Sequence, residues 1–386
     1  MNVSSSARIV RVDGFELSCR MPEPIGNAMR FFDLRTALLV RLTDADGQVG
    51  WGETWSMPQA AAAVIKSGLA QVVLAQATGA PRVVWNAMSQ TLTYDRRGVT
   101  QMAMSAIDVA AWDLAGRRAG VPIAQLLGGA IRDKVMAYVS GPFLKPGGDP
   151  YRDFDADIGG YLDDGFKAMK MRLGLNARAE GALLARVRQR VGDAFPLMVD
   201  LNEGATVRSA LSFAKAFEES DLVWLEEPIR HDNLPGYAHL AKALPMALAG
   251  GEALIGVTPF RDFLAQGALD ILQPDLALCG GFTEGQKIAA LADAYCVPLV
   301  PHVWGTTINF HASLQLIAGL PELRGPGVRY PMFEFDPSFN PLRDMCGKVG
   351  VGSDGSIAIP QAPGLGVEID PRQFNEYLVD QWSVSV

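Results

Sequence analysis

From about residue 134 onward the chain repeats one rhythm, a short apolar run followed by a longer amphipathic stretch. The runs are 135–140, 168–173, 197–202, 222–228, 246–252, 271–278, 298–304 and 331–336. Helical stretches such as ARAEGALLARVRQRVG, ALSFAKAFEES and EGQKIAALADAY stand between them. A strand apolar on successive residues is covered on both faces, and helices between such strands imply a parallel sheet. Eight such units match a closed α/β barrel.

Residues before this repeat have another texture. Residues 7–18 and 34–42 read as strands, and Asp44-Ala-Asp-Gly47 turns the second into 49–53, a hairpin with Asp-Gly chemistry. Residues 58–128 read as helical, with Gly120 stopping the segment MAMSAIDVAAWDLAGRRAG. The tail from 343 to 386 is rich in Pro and Gly and is expected to pack back on the first part. The expected division is therefore 1–128, 129–342 and 343–386.

The net charge of −8 argues against nucleic-acid binding, which needs a basic surface. The four cysteines, Cys19, Cys279, Cys296 and Cys346, form no C-x-x-C pair, so reduced thiols are expected rather than disulfides or zinc. The first residues lack the apolar core of a signal peptide, and apolar stretches fall short of the roughly 20 residues of a membrane span. A cytoplasmic protein with no membrane partner is the expectation.

In such barrels the chemistry sits at the C-terminal ends of the strands. Asp200, Glu226 and Glu252 end three successive runs and are spaced 26 residues apart. Equal spacing predicts equal height on neighbouring strands about 4.8 Å apart, where three carboxylates can converge. Three such charges repel unless a cation neutralises them, and an all-oxygen site suits Mg²⁺. Taken singly, each could be a solvated carboxylate at a loop. Asp275 and His302 end the sixth and seventh runs. A carboxylate behind an imidazole fixes its tautomer and makes a competent base. His231 and His239 read as surface residues and His311 as structural.

Lys170-Met-Arg172 ends the second run, and strand alternation sends both cations to one face. They suit a carboxylate substrate and the charge that builds on it, or they balance the acidic triple. Gly280-Gly281 and Gly285 lack the Lys-Ser/Thr of a phosphate loop and are expected to serve tight turns. Trp51, Trp55 and Trp304 line a pocket or fill the core.

The series Lys-x-Arg, Asp-x-Asn, Glu-Glu-Pro, Gly-Glu, Pro-Asp, Pro-His-x-Trp-Gly and Phe-Glu-Phe-Asp resembles the enolase superfamily, mandelate racemase subgroup. The resemblance spans nearly the whole chain, including Val49-Gly-Trp-Gly-Glu53 and MSAIDVAAWDLAGRRAGVPIAQLLGG. ILQPDLALCGGFTEGQKIA, VPHVWGTT and MFEFDPSFNPLR are similar to galactarolactone cycloisomerases and acid-sugar dehydratases. The resemblance implies a modified TIM barrel, (β/α)₇β, under an N-terminal α+β capping domain. It implies one Mg²⁺ on Asp200, Glu226 and Glu252, and a homo-oligomer, an octamer or a dimer. It implies removal of the proton α to a substrate carboxylate, with His302 and Asp275 as base. Lys170 and Glu334 would contact the substrate carboxylate. Substrate contacts would come from Asn202, Trp304, and Arg30 and Trp55 of the cap.

The family's second strand usually ends in a second Lys, the base on the opposite face. Here that residue is Arg172, a poor proton acceptor. It could bind a distal carboxylate or stabilise the enediolate. The expected function is β-elimination on a small sugar acid or its lactone. A racemase or epimerase, or a non-catalytic binding protein of the same fold, remains open. Recovery of both epimers in D₂O would favour the first, and tight binding without turnover the second.

Overall fold

The computed structural model describes residues 7–92 and 97–386. The chain opens with three antiparallel strands, β1 (Ile9–Gly26), β2 (Phe31–Asp44) and β3 (Val49–Thr54). The expected turn forms, with Asp44 Oδ1 accepting from the backbone N–H groups of Asp46 and Gln48 at 3.0 and 2.9 Å. Helix Val99–Ala119 then packs on this sheet and ends at Gly120, whose φ of 68° is the left-handed stop the sequence implied. The helix is buried on most of its circumference. A Cβ on Gly52 of β3 would meet Ala106 O at 1.9 Å, so only glycine permits this approach.

The parallel sheet follows. Its strands are β4 (Lys134–Ser140), β5 (Met169–Arg172), β6 (Leu197–Asp200), β7 (Trp224–Glu226), β8 (Ala247–Gly250) and β9 (Ile271–Leu272). After an antiparallel hairpin, β10 (Leu323–Gly325) and β11 (Val328–Tyr330), comes β12 (Phe333–Phe335), which pairs in parallel with β4. Seven helices alternate with these strands, giving the capped (β/α)₇β barrel. One expected strand is not regular. Residues 298–304 make a single bridge, Leu299 to Leu272, with Val300 donating to Leu272 O at 2.9 Å. His302 N still donates to Pro274 O at 3.2 Å, but Pro274 has no N–H to return to Val300, so the ladder misses a rung and regular pairing stops there.

The tail divides its contacts. Strand β13 (Ser356–Ala358) pairs antiparallel with β4, and β14 (Leu378–Ser385) pairs antiparallel with β1, completing the first sheet. Trp51 belongs to the core, against Phe15 and Phe374 at 5.6 and 6.1 Å. Gly280 and Gly281 take positive φ, as a turn requires, and Gly281 also seats Asp108 of the capping helix, whereas Gly285 lies inside the helix Gly281–Ala294 and not in a turn. Asp108 accepts from Thr283 N and Oγ1 at 2.9 and 2.6 Å, at the start of helix Gly281–Ala294.

A second joint between cap and barrel is Glu53, at the end of β3. It accepts from Thr306 N at 3.0 Å and from the Thr306 hydroxyl. Burial pushes its carboxyl up to about 7, against the pull of the Thr306 bonds. Between pH 4.5 and 7 the unfolded chain has released this proton and the folded chain still holds it. The stability it contributes is complete below pH 4.5 and is lost as the pH rises through 7. Glu53→Gln keeps the neutral form at every pH. Relative to the parent, this variant is expected to gain on the order of 3 kcal/mol on moving from pH 4.5 to pH 8, measured by urea unfolding. An equal difference at both pH values would mean that Glu53 is charged in the fold.

Candidate functional site

Strands β5, β6 and β7 are in register at their C-terminal ends: Arg172 lies opposite Asp200, and Asp200 opposite Glu226. Asp200 and Glu226 are buried carboxylates at one height. Glu252 is not at that height, because Glu226 pairs with Ala249, three residues earlier. The equal sequence spacing therefore did not give equal level. A turn at Gly251, with φ 121°, carries Glu252 past the end of β8. One oxygen from each of the three carboxylates nevertheless lies within 4.8 Å of the others. The group could hold a metal ion. Asp200 and Glu226 are fully buried, while the Glu252 side chain keeps 24% of its exposure.

Their charge is balanced from below. Lys170, fully buried, donates to Glu226 and sits 2.7 Å from Glu334 Oε1. Arg172 donates to Asp200, and its second amino group donates to Ser140 Oγ at 2.9 Å. Burial disfavours both cations, but Glu226 and Glu334 raise Lys170, and Asp200 and Glu334 raise Arg172, so both stay charged. Glu334 accepts from Ser140 Oγ at 2.7 Å and from Val303 N at 3.0 Å. Burial raises its carboxyl, yet Lys170, His302 and Arg172 overcome this and hold it at about 2. Around the carboxylate oxygens, Trp224 Nε1 and Gln273 Nε2 donate to Glu226 at 2.9 and 2.7 Å. Asn202 Nδ2 donates to Asp200 at 2.9 Å, leaving Asn202 Oδ1 buried without a partner. An oxygen-only donor set beside a spare buried acceptor fits a hard, hydrated dication.

His302 stands across from the triad. Its Nδ1 lies 2.8 Å from Asp275 Oδ2, and its Nε2 lies 3.1 Å from Glu252 Oε2. Asp275 is saturated: it also accepts from Trp55 Nε1 at 2.8 Å, Ala277 N at 2.7 Å and Asn309 Nδ2 at 3.0 Å. These contacts anchor Asp275, and through its bond to Nδ1 they orient the His302 ring. Burial disfavours the imidazolium, but Glu252, Glu334 and Asp275 prevail and lift His302 to about 10. A dication on the carboxylates would cancel the Glu252 contribution and bring the imidazole back toward a working base.

Between these groups and the cap lies a cavity of about 410 Å³. Arg172, Asn202, Glu252 and His302 line its inner end, and Arg30, Trp55 and Trp304 reach it from the outer side. Trp304 packs edge-on against Phe32 at 5.7 Å and beneath the Arg35 guanidinium at 3.8 Å. Lys170 does not line the cavity and lies beneath it. His311 is structural, with Nδ1 2.7 Å from Thr307 O, and His239 is exposed. His231 is half-buried and bound to Glu203 Oε1 at 2.5 Å, not a free surface residue. The sequence reading missed Ser140, Gln273 and Asn309, which carry no charge and no motif. It also gave Trp55 a substrate contact, not its bond to Asp275.

Residues 153–373 match the family described as "Enolase C-terminal domain-like", and residues 13–128 match "Mandelate racemase / muconate lactonizing enzyme, N-terminal domain". The chain belongs to the enolase superfamily. Within that superfamily it is 35% identical over 373 residues to a D-galactarolactone cycloisomerase of Agrobacterium fabrum, covering 96% of this chain and 98% of the relative. The solved structure of 3,6-anhydro-D-galactonate cycloisomerase from Zobellia galactanivorans is 32% identical, with a TM-score of 0.84, covering 97% of this chain and 100% of that one. An L-talarate dehydratase from Polaromonas sp., complexed with Mg and L-glucarate, is 27% identical with a TM-score of 0.86, covering 99% and 100%. These superfamily relatives are cycloisomerases and dehydratases, and this chain is likewise an enzyme. Among its described residues no helix is long and apolar enough to cross a membrane.

Proposed function

We propose that the enzyme removes the proton α to the carboxylate of a sugar acid and expels a β-oxygen, with Mg²⁺ held by Asp200, Glu226 and Glu252. The ion, when bound, supplies Lewis-acid stabilisation for charge building on the substrate carboxylate. Lys170 and Glu334 fix that end of the site, one as a permanent cation and the other as its counter-charge. His302 Nε2 takes the α proton, while Asp275 holds the ring by Nδ1. The C–H electron pair becomes the C=C bond, the β C–O bond breaks, and the departing oxygen takes a proton back from the imidazolium. The enol then tautomerises to a 2-keto acid.

One observation carries the choice of elimination. His302 is the only imidazole lining the cavity among the described residues, whereas Lys170 and Arg172 are bound as cations to Glu226 and Asp200. One base serves one face, and racemisation needs two. A library of acid sugars and their lactones incubated with Mg²⁺ in D₂O tests this. A 2-keto acid product is the expected result. Deuterium at the α carbon with recovery of both epimers would replace elimination by racemisation.

A further inference from the structure

We propose that the outer end of the cavity is a carboxylate site built on Arg30, so that the substrate is an open-chain sugar diacid. The inference rests on the sugar-acid reading above and assigns what recognises the far end of the molecule.

Besides His302, two permanent cations line the cavity, Arg172 and Arg30. Arg172 is committed to Asp200 and Ser140 at the inner end, so it is not free for a distant carboxylate. Arg30 makes no ion pair among the described residues. The two acidic groups nearest it in its own hairpin are taken: Glu23 holds Lys145 at 2.7 Å and Arg152 at 2.6 Å, and Asp33 holds Arg20. Apart from Glu252 at the inner end, the rest of the lining carries no charge: Phe32, Leu34, Phe143 and Trp304 are apolar, and Thr36 and Ser56 add hydroxyls that suit the hydroxyls of a sugar chain. A substrate carboxylate at the inner end therefore faces, across an uncharged wall, one unmatched guanidinium.

The backbone that bears Arg30 is built into place. Asn27 Oδ1 accepts from Met29 N and Arg30 N at 2.9 and 3.1 Å, and Asn27 N donates to Arg30 O at 3.1 Å. Gly26 and Leu144 exchange backbone bonds of 2.8 and 3.0 Å, tying this turn to the barrel loop after β4. The Ala28 methyl seats against Gly174 and Gly204, on the loops after β5 and β6. A Cβ at either would come within 2.8 or 2.6 Å of it. The turn is thus docked on three successive barrel loops, and the ordering of Arg30's backbone is complete before substrate arrives. The exposed Arg30 side chain, carried by this ordered turn, offers a fork of N–H donors that matches a carboxylate by two parallel bonds. A terminal hydroxymethyl or a lactone carbonyl gives no such match.

The test compares hexarates, the hexonates of the same configuration and the hexarolactones, each with Mg²⁺. The hexarate is expected to show the highest kcat/KM, by at least about tenfold. Arg30→Met is expected to lower the hexarate value by about 10- to 100-fold, mainly through KM, so that the hexarate-to-hexonate ratio falls toward one. Arg30→Lys should recover part of that ratio, because it restores charge without the fork. Preference of the parent enzyme for the hexonate or the lactone overturns the proposal and leaves the elimination reading standing. So does an Arg30→Met variant that loses activity equally on both acids. Failure of every acid sugar to react would remove both.

Discussion

Replacing His302 by Asn is expected to lower kcat by about 10²- to 10⁴-fold, the contribution of a positioned general base. The variant side chain keeps a donor for Asp275 but has no lone pair of comparable basicity to offer the α carbon. Folding should change little, because Asp275 retains its bonds from Trp55, Ala277 and Asn309. The result is read as a loss of turnover, together with loss of substrate α-proton exchange in D₂O, at an unchanged melting temperature. Substrate binding, measured directly, should survive. Full turnover by the Asn variant would take the base away from His302 and leave the elimination scheme without a proton acceptor.

Chelation is expected to bring activity to background, and Mg²⁺ to restore it. The same treatment should leave the protein folded. Lys170 and Arg172 already meet Glu226 and Asp200, so the triad is not an uncompensated cluster without its ion. Mg²⁺ should then raise stability by mass action, about 2.7 kcal/mol at a hundredfold excess over Kd. That appears as an upward shift in Tm which a triad variant such as Asp200→Asn reduces. Activity untouched by chelation, or a Tm indifferent to Mg²⁺ while the enzyme turns over, would defeat the metal assignment.

The barrel was legible because buried parallel strands write themselves as continuous apolar runs, and each of the eight runs lies at a barrel-strand position. The exception in regularity, 298–304, follows from Pro274 on the run alongside, which has no N–H for Val300, and that effect is legible only once the two runs are paired. The three carboxylates were found by their spacing, although the spacing argument was incomplete. Equal separation along a chain says nothing about helix tilt and loop length between strands, and Glu252 reaches the group from a turn, not from equal height. The pairing of Lys170 with Glu226 and of Arg172 with Asp200 could not be read at all, since either cation can reach several neighbours at the barrel mouth. Glu53 and Asp108 look like ordinary charges in the sequence. They become buried joints only once cap and barrel meet, and no local pattern encodes that contact. Ser140, Gln273 and Asn309 were invisible for a simpler reason: neutral hydrogen-bonding residues are common, and only geometry singles them out.

The bond from Trp55 to Asp275 has a consequence for how far this activity can be moved between proteins. The residue that holds the proposed base is on the barrel, but one of the donors that holds that residue comes from the cap. Orientation of the imidazole is therefore a property of the assembled molecule. Transplanting the barrel loops onto a relative's scaffold would carry over His302 and Asp275 and leave this indole behind. Such a chimera would inherit the reagents without their alignment, so cap and barrel have to be exchanged as one inherited block.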